Sequence, residues 1–300
     1  METNRGNDTG KRAAPLKKHL SAVLILLALA AGVLASSQPP GFFFVQLSDP
    51  QFGFFAGDAE FAQETANLEF AITSANRLRP AFVVITGDLV NKAGDAAQLA
   101  EYRRITAKLD RSTPLYHVAG NHDVGNAPTP ESLAAYRKVL GPDRYTFRHG
   151  GLVGIVINST LFAAPQGAPG EARAQEAWLE AELRRARQEG ARHVVVFSHH
   201  PLFVADASEP DAYVNIPRER RTRLLELFAA NGVRFVFAGH HHQNALALAG
   251  ALEVVTTGPI GRPLGEGVSG MRVVTVTGAS IAHRYYHLGE LPARIALARD

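Results

Sequence analysis

The sequence predicts a protein of the α/β class, in which buried strands alternate with amphipathic helices. From residue 42 onward, short apolar runs that suit buried strands are separated by longer stretches with helical spacing of their apolar residues. The 300 residues are 46% hydrophobic and 20% charged, which is usual for a globular chain and excludes the disordered and collagen-like classes. There is no cysteine, so disulfide scaffolds, thiol nucleophiles and cysteine-ligated metals are excluded. No linker or repeat interrupts the body, and we expect one domain over residues 36–300.

Strands and helices are predicted in turn along the first half of the body. The run at 42–47 is continuously apolar and lies between Gly41 and Asp49, which favours a buried strand. Further strands are predicted at 81–86, 115–119, 145–147 and 152–157. Helices are predicted at 58–79, where Pro80 ends the pattern, at 95–110 and at 131–140.

The second half continues this alternation and then becomes mostly strand. An amphipathic helix at 171–189 carries Trp178 on its apolar side, which predicts that Trp178 belongs to the core. A further helix is predicted at 217–231. On that helix we expect four arginines to face solvent, namely Arg218, Arg220, Arg221 and Arg223. Strands are predicted at 193–197, 233–238, 251–257, 271–277 and 281–287, and the last three indicate an added antiparallel portion.

The N-terminal segment is first basic and then apolar. Residues 1–35 contain five Lys or Arg and two Asp or Glu, so they carry the whole formal net charge of +3 and leave the body balanced. The basic stretch, the apolar run at 20–35 and the Pro-rich break after it predict a signal peptide cleaved after Ala35, or else an uncleaved anchor. Either one exports the body to the periplasm or the exterior, with membrane contact only through this segment. The balanced body gives no sign of nucleic-acid binding.

Polar side chains follow five of the predicted strands at the point where each strand ends. They are Asp49 and Gln51, Asp88 and Asn91, Asn121 to Asp123, His199 and His200, and His240 to His242. Ligands of open α/β sheets bind outside the carboxyl ends of the strands, so we expect these side chains on one rim. Carboxylates mixed with imidazoles suit divalent metals such as Mn²⁺, Fe²⁺ or Zn²⁺. Two such ions can clamp a phosphoryl group and activate a water as its nucleophile.

The motifs at these strand ends occur in a recognisable order. They read D-x-Q from Asp49, GD-x-x-N around Asp88, GNHD around Asn121, H-x-P from His199 and GH-x-H around His240. Over residues 42–288 this series resembles the calcineurin-like metallophosphoesterases. The resemblance implies a two-sheet β sandwich flanked by helices. It also implies hydrolysis of phosphoesters, with monoesters favoured over diesters.

The resemblance further implies a role for each residue of the site. Two divalent ions would be bound, the first by Asp49, Gln51, Asp88 and His242, and the second by Asp88, Asn121, His199 and His240. His122 would stand outside both metal shells, stabilise the phosphoester charge and protonate the leaving oxygen. Asp123 would orient His122 through the second nitrogen of its ring.

Gln51 departs from the broader family, which has His at this position. Its neutral amide oxygen is a poorer ligand than imidazole, so a second interpretation is a non-catalytic metal- or nucleotide-binding module with a weakened first site. A narrower group of the family, described as serine/threonine phosphatases, shares this Gln and has similar stretches at 49–53, 199–203, 213–217 and 283–288. The resemblance to that group favours an active enzyme.

The substrate is left open by the sequence. The loop at 158–170 is the expected determinant of specificity, since it follows a predicted strand and is rich in Ala, Pro and Gly. His200 and His241 are candidates for substrate contact or for packing. Phe52, Phe54 and Phe55 follow the first ligand strand directly, where they can wall the pocket or pack beneath it.

Overall fold

The computed structural model describes residues 1–3, 5–6 and 40–297. The predicted signal peptide or anchor at 1–35 falls almost entirely outside these residues. In the part of the chain that is described, no helix is both long and apolar enough to cross a membrane.

Strands and helices alternate over most of residues 42–238 and strands joined by turns follow to residue 287, as the sequence predicts. The strands are β1 (Phe42–Leu47), β2 (Val83–Ile85), β3 (Leu115–His117), β4 (Tyr145–His149), β5 (Leu152–Val156), β6 (His193–Phe197), β7 (Val233–Ala238), β8 (Ala245–Ala249), β9 (Leu252–Thr256), β10 (Gly270–Val276) and β11 (Ile281–His287). The helices are α1 (Ala62–Leu78), α2 (Ala96–Thr106), α3 (Asn121–Val124), α4 (Pro130–Leu140), α5 (Thr160–Ala163), α6 (Pro169–Gln188) and α7 (Arg218–Ala230). Short 3₁₀ turns occupy Pro165–Gly167 and Leu288–Glu290.

The strands form two mixed sheets. The first sheet has the order β11-β10-β1-β2-β3, and β1, β2 and β3 are parallel neighbours. The second has the order β4-β5-β6-β7-β9-β8, and β5, β6, β7 and β9 are parallel neighbours. The antiparallel strands β10 and β11 complete one sheet, while β4 and β8 form the edges of the other. The two-sheet α/β fold is thereby confirmed.

The two sheets face each other across an aromatic core. Phe44 of the first sheet lies with its ring centroid 4.6 Å from that of Phe82, 5.7 Å from Phe197 and 5.6 Å from Phe237. The alternate residues of β1, such as Val45, point the other way and pack in a cluster with α1 and α2. Because both faces of each central strand are buried, the strands read as continuous apolar runs rather than as alternating ones.

Helices α6 and α7 cover the outer face of the second sheet, and here one sequence prediction is wrong. Trp178 packs as expected against the apolar cluster between these helices and the sheet. Arg221, however, is fully buried and does not face solvent. Arg221 precedes Leu224 by three residues and Phe228 by seven, so helical periodicity places all three on the buried face of α7. Its guanidinium donates a hydrogen bond to the backbone oxygen of Glu209 at 2.6 Å.

Candidate metal centre

The predicted ligands come from both sheets and meet at the carboxyl ends of their strands. Asp49 follows β1, Asp88 follows β2 and Asn121 begins α3 just after β3, so the first sheet supplies carboxylates and an amide. His199 follows β6, and His240 and His242 follow β7, so the second sheet supplies imidazoles. Ligands that are far apart in the sequence are therefore brought together by the packing of one sheet on the other.

Six of these residues contribute atoms to a compact, buried arrangement. In the first group, Asp49, Asp88 and His242 place one ligand atom each within 4.8 Å of one another, and in the second group Asp88, His199 and His240 do the same. Asp88 belongs to both groups. Asn121 joins the second group, because its Oδ1 lies 2.9 Å from His199 Nε2. Two groups that share one carboxylate provide the geometry for two neighbouring ions with a bridging ligand.

Each histidine of the two groups has its outward nitrogen hydrogen-bonded to a backbone carbonyl. His199 Nδ1 lies 2.8 Å from Thr86 O, His240 Nε2 lies 2.9 Å from Tyr213 O, and His242 Nδ1 lies 2.6 Å from Arg262 O. A carbonyl oxygen only accepts, so these ring nitrogens are the donors. The other nitrogen of each ring is then directed into the site with its lone pair, as in metal-binding histidines.

The inward atoms of the second group are acceptors that lack enough protons to satisfy one another. His199 Nε2 lies 3.1 Å from His240 Nδ1, 2.9 Å from Asn121 Oδ1 and 3.2 Å from Asp88 Oδ2. At most one proton can occupy His199 Nε2, and the other atoms still present lone pairs to the same point. A divalent cation satisfies all of them together, so the residues fit a metal ion.

The pKa values of these residues have the same physical origin. Burial opposes the charged form of Asp88, but the nearby imidazoles, His199 first among them, outweigh it and lower the pKa of the carboxyl. Burial also opposes protonation of His199, yet Asp88 and Asp49 raise its pKa to about 9. Burial lowers the pKa of His240 to about 4. A positive charge is thus strongly favoured among these ligands, and a bound cation would replace the proton on His199.

Gln51 lies beside the first group and offers an unused oxygen. Its Nε2 donates to Asn91 Oδ1 at 3.2 Å, which fixes the orientation of the amide. Its Oε1 is buried and has no hydrogen-bond partner among the described residues. An orphaned buried oxygen costs free energy unless a ligand uses it, and this is a second observation that fits a metal ion at the first group.

The backbone is strained at most of the predicted ligands. Positive φ angles occur at Asp49 (48°), Gln51 (41°), Asp88 (50°), His240 (66°) and His242 (56°). Left-handed conformations are unfavourable for residues with a side chain. They persist at functional sites, where a side chain must point in a particular direction.

Gly120 allows the GNHD turn to approach the shared ligand. A Cβ at this position would lie 2.1 Å from both the backbone nitrogen and Oδ1 of Asp88. Only glycine therefore fits between α3 and the turn that carries Asp88.

His122 lies next to the ligand groups without belonging to either. Its backbone N–H donates to Asp88 Oδ1 at 2.8 Å, and its ring Nδ1 donates to Asn91 O at 2.7 Å. The side chain is partly exposed, and its Nε2 is the nitrogen left for a substrate. The sequence placed Asn91 at a strand end but gave it no role, whereas in the structure it holds His122 through its backbone and Gln51 through its side chain. The signal was the final residue of the GD-x-x-N motif.

The predicted contact between Asp123 and His122 is wrong. The carboxylate of Asp123 accepts from the backbone N–H of Gly120 at 2.8 Å and of Leu89 at 2.9 Å. Burial and the charge of Asp88 raise its pKa to about 8. Both residues lie in α3, where consecutive side chains point in different directions. Asp123 therefore orders the loops after β2 and β3, while Asn91 orients the imidazole.

The remaining candidates divide into packing residues and residues near the site. Phe52 and His200 are buried, and Ser159 Oγ lies 2.9 Å from His200 Nδ1 and accepts from the backbone N–H of His199. The predicted specificity loop thus supports the turn that carries His199. The ring of Phe54 lies 5.3 Å from that of His242 and 6.5 Å from that of His122, so Phe54 flanks the first group. Phe55 and His241 are partly exposed.

The fold and the two ligand groups define a metal-dependent phosphoesterase. The family model described as Calcineurin-like phosphoesterase matches residues 44–244, and the chain belongs to this family. It is similar to the bovine (Bos taurus) serine/threonine-protein phosphatase CPPED1, with 38% identity over 83% of this chain and 85% of the relative. The resemblance to the narrower phosphatase group is thereby confirmed, and the protein is a hydrolase of phosphoester bonds.

Two solved structures share the fold at low sequence identity. A purple acid phosphatase from yellow lupin (Lupinus luteus) has a TM-score of 0.66 and 13% identity, covering 84% of this chain and 52% of that one. A dimetal phosphatase from Danio rerio has a TM-score of 0.57 and 17% identity, covering 82% of this chain and 99% of that one.

Proposed function

We propose that the protein is a two-metal phosphomonoesterase. One ion is bound by Asp49, Gln51, Asp88 and His242, and the other by Asp88, Asn121, His199 and His240. The observation that carries this proposal is the pair of buried ligand groups that share Asp88. The mixture of carboxylate, amide and imidazole ligands suits Mn²⁺, Fe²⁺ or Zn²⁺.

The residues around the ligand groups supply the remaining chemistry. When bound, the two ions provide Lewis acidity that neutralises phosphoryl charge and lowers the pKa of a water. His122 keeps one proton on Nδ1, where Asn91 O accepts it, and presents Nε2 to the substrate. In its imidazolium form His122 donates the Nε2 proton to the departing ester oxygen.

The relatives and the predicted export support a proposal for the substrate class. The bovine relative is named a serine/threonine-protein phosphatase. A signal peptide or anchor would place the body of this protein outside the cytoplasm, where cytosolic phosphoproteins are not available. We therefore propose phosphomonoesters encountered outside the cytoplasmic membrane. A panel of aryl and alkyl phosphates, phosphoserine peptides and phosphodiesters ranks these classes directly.

The enzyme hypothesis is tested with Asp88→Asn. The purified protein with Mn²⁺ should hydrolyse a generic aryl phosphate, and the variant should lose this activity together with bound metal at both sites. Two ions retained in Asp88→Asn would contradict the bridging role. Wild-type protein that binds metal but hydrolyses no phosphoester would favour the non-catalytic binding module.

Export is tested by the mass of the mature chain. Intact-mass analysis of soluble and membrane fractions should find a species that begins at Ser36. A full-length species confined to membranes would replace the cleaved signal peptide with an anchor, and a full-length cytosolic species would contradict export.

A further inference from the structure

A long irregular segment lies beside the second ligand group. Residues 198–217 connect β6 to α7 without a helix or strand, and irregular connections of this length inside a compact domain are uncommon and often functional. The segment is held in shape by Glu209, whose carboxylate accepts from the backbone N–H of Val204 at 3.0 Å and of Ala205 at 2.9 Å. Buried Arg221 anchors Glu209 from beneath. Tyr213 nevertheless stands out of this segment with 63% of its surface exposed.

Tyr213 contacts two of the proposed ligands of the second ion. Its backbone oxygen accepts from His240 Nε2 at 2.9 Å, and its ring centroid lies 4.8 Å from that of His240. Its hydroxyl oxygen accepts from Asn121 Nδ2 at 3.0 Å. The same Asn121 Nδ2 donates to Asn126 Oδ1 at 2.9 Å.

These contacts determine which atoms face the metal position. An amide nitrogen has two hydrogens, and in Asn121 one is directed to Tyr213 and the other to Asn126. Rotation of the amide by 180° would place Oδ1 against Asn126 Oδ1, which is also an acceptor, and would reverse the bond with the Tyr213 hydroxyl, which is directed toward Asn126 Oδ1 at 3.4 Å, so Oδ1 stays directed at His199 Nε2. In the same way, the bond from His240 Nε2 to the Tyr213 carbonyl leaves His240 Nδ1 facing the site.

We infer that Tyr213 is a positioning residue for the second metal ion. It holds the Asn121 amide and the His240 imidazole in their ligand orientations and thereby links the 198–217 segment to occupancy of that ion. The inference rests on the proposed two-metal function. The first group makes no corresponding use of Tyr213, since His242 is held by Arg262 O and Gln51 by Asn91.

The test is a Mn²⁺ titration of the full-length protein, in which calorimetry and electron paramagnetic resonance measure the binding. Wild type should bind two ions and develop the spectrum of a coupled pair. In Tyr213→Phe, which loses only the hydroxyl, the second ion should bind about 10-fold more weakly, and in Tyr213→Ala up to about 100-fold more weakly, as for other groups that orient metal ligands. The first ion should bind as in wild type, so uncoupled Mn²⁺ should accumulate at intermediate metal concentrations.

The matched control is Leu246→Ala, which truncates another exposed side chain, on β8, with 58% of its surface accessible. It should leave both affinities unchanged. An unchanged second affinity in Tyr213→Phe would overturn the inference while leaving the two-metal proposal intact. Equal loss at both sites, with a lowered melting temperature of the metal-free protein, would also overturn it, because the role would then be general folding. A wild type that binds fewer than two ions would overturn the inference and the proposed function together.

Discussion

At the scale of single residues, His122 is the clearest case of a side chain that serves chemistry rather than metal binding. Its Nδ1 is bound to Asn91 O and its Nε2 is left for substrate. His122→Ala should therefore retain its metal content and lose about 10²–10⁴-fold in turnover, the range for a general acid. The loss should be larger for alkyl than for nitrophenyl phosphates, because an alkoxide needs protonation to leave. Turnover and metal analysis across that series provide the measurement, and loss of metal would make His122 a ligand instead.

Gln51 yields a prediction with opposite signs for stability and binding. Gln51→Leu keeps the side-chain volume but removes the orphaned Oε1 together with the bond to Asn91. The metal-free protein should be unchanged or stabilised by up to about 1 kcal/mol, because removal of an unsatisfied buried oxygen offsets the lost hydrogen bond. Affinity for the first ion should fall at least about 10-fold. Urea denaturation in chelator and a metal titration measure the two quantities, and an unchanged affinity would remove Gln51 from the ligands.

The sequence was sufficient to group the ligand residues but not to describe how they are held. Asp49, Asp88 and His199 could be placed on one rim because the carboxyl ends of parallel strands share an edge. The pairing of Asp123 with His122 failed, because sequence adjacency suggests contact whereas the short helix α3 turns the two side chains apart. Backbone carbonyl partners such as Asn91 O cannot be predicted from residue type, because every residue has a backbone carbonyl.

At the scale of elements, strand β3 carries a largely buried histidine that makes the first sheet sensitive to acid. His117 in β3 packs its ring 5.8 Å from that of Tyr102, and its Nε2 is buried without a hydrogen-bond partner in the described chain. Burial, with a smaller contribution from Arg103, lowers its pKa to about 4 from an ordinary value of 6.5. The unfolded state therefore binds more protons than the folded state between these values. The stability that neutral His117 provides is complete above about pH 6.5 and is lost as the pH falls toward 4.

A comparison of wild type with His117→Leu isolates this effect. Between pH 7 and pH 4.5, the free energy of unfolding of wild type should fall by up to about 2 kcal/mol more than that of the variant, at about 1.4 kcal/mol per pKa unit. Urea midpoints at the two pH values, in chelator, measure the difference. Other groups that titrate in this range are common to both proteins and cancel. Parallel losses in the two proteins would show that His117 is not responsible.

At the scale of the whole molecule, the fold was predictable to the level of layers because the central strands are buried on both faces and their helices are amphipathic. How the two sheets pack on each other was not predictable from periodicity, because a buried apolar run does not indicate which sheet covers it. That relation decides the site, because Asp49 and Asp88 belong to one sheet and His199 and His240 to the other. A polar link across the aromatic core therefore has consequences beyond stability.

Gln46 of β1 forms such a link directly behind the ligand groups. It is fully buried, donates from Nε2 to Ala238 O of the second sheet at 3.0 Å, and accepts at Oε1 from Thr257 Oγ1 at 2.7 Å. Gln46→Leu would remove both of these bonds, while Ala238 O would still accept from the Thr257 N–H at 2.9 Å and Thr257 Oγ1 from Arg272 Nε at 2.7 Å. At about 0.5–1.5 kcal/mol for each lost hydrogen bond, we expect a loss of about 2 kcal/mol in the free energy of unfolding. The exposed substitution Gln63→Leu on α1 is the matched control and should change stability by less than about 0.5 kcal/mol.

The same variant tests whether the alignment of the sheets sets metal affinity. Loss of the Gln46 link allows the strand ends that carry Asp49 and Asp88 to shift relative to those that carry His199 and His240, so both ions should bind more weakly. Urea denaturation in chelator and a Mn²⁺ titration of the folded variant separate the two effects. A loss of stability with unchanged affinity would show that the ligand loops are aligned by their own contacts, such as those of Gly120 and Asp123. An unchanged stability would contradict the role of Gln46 altogether.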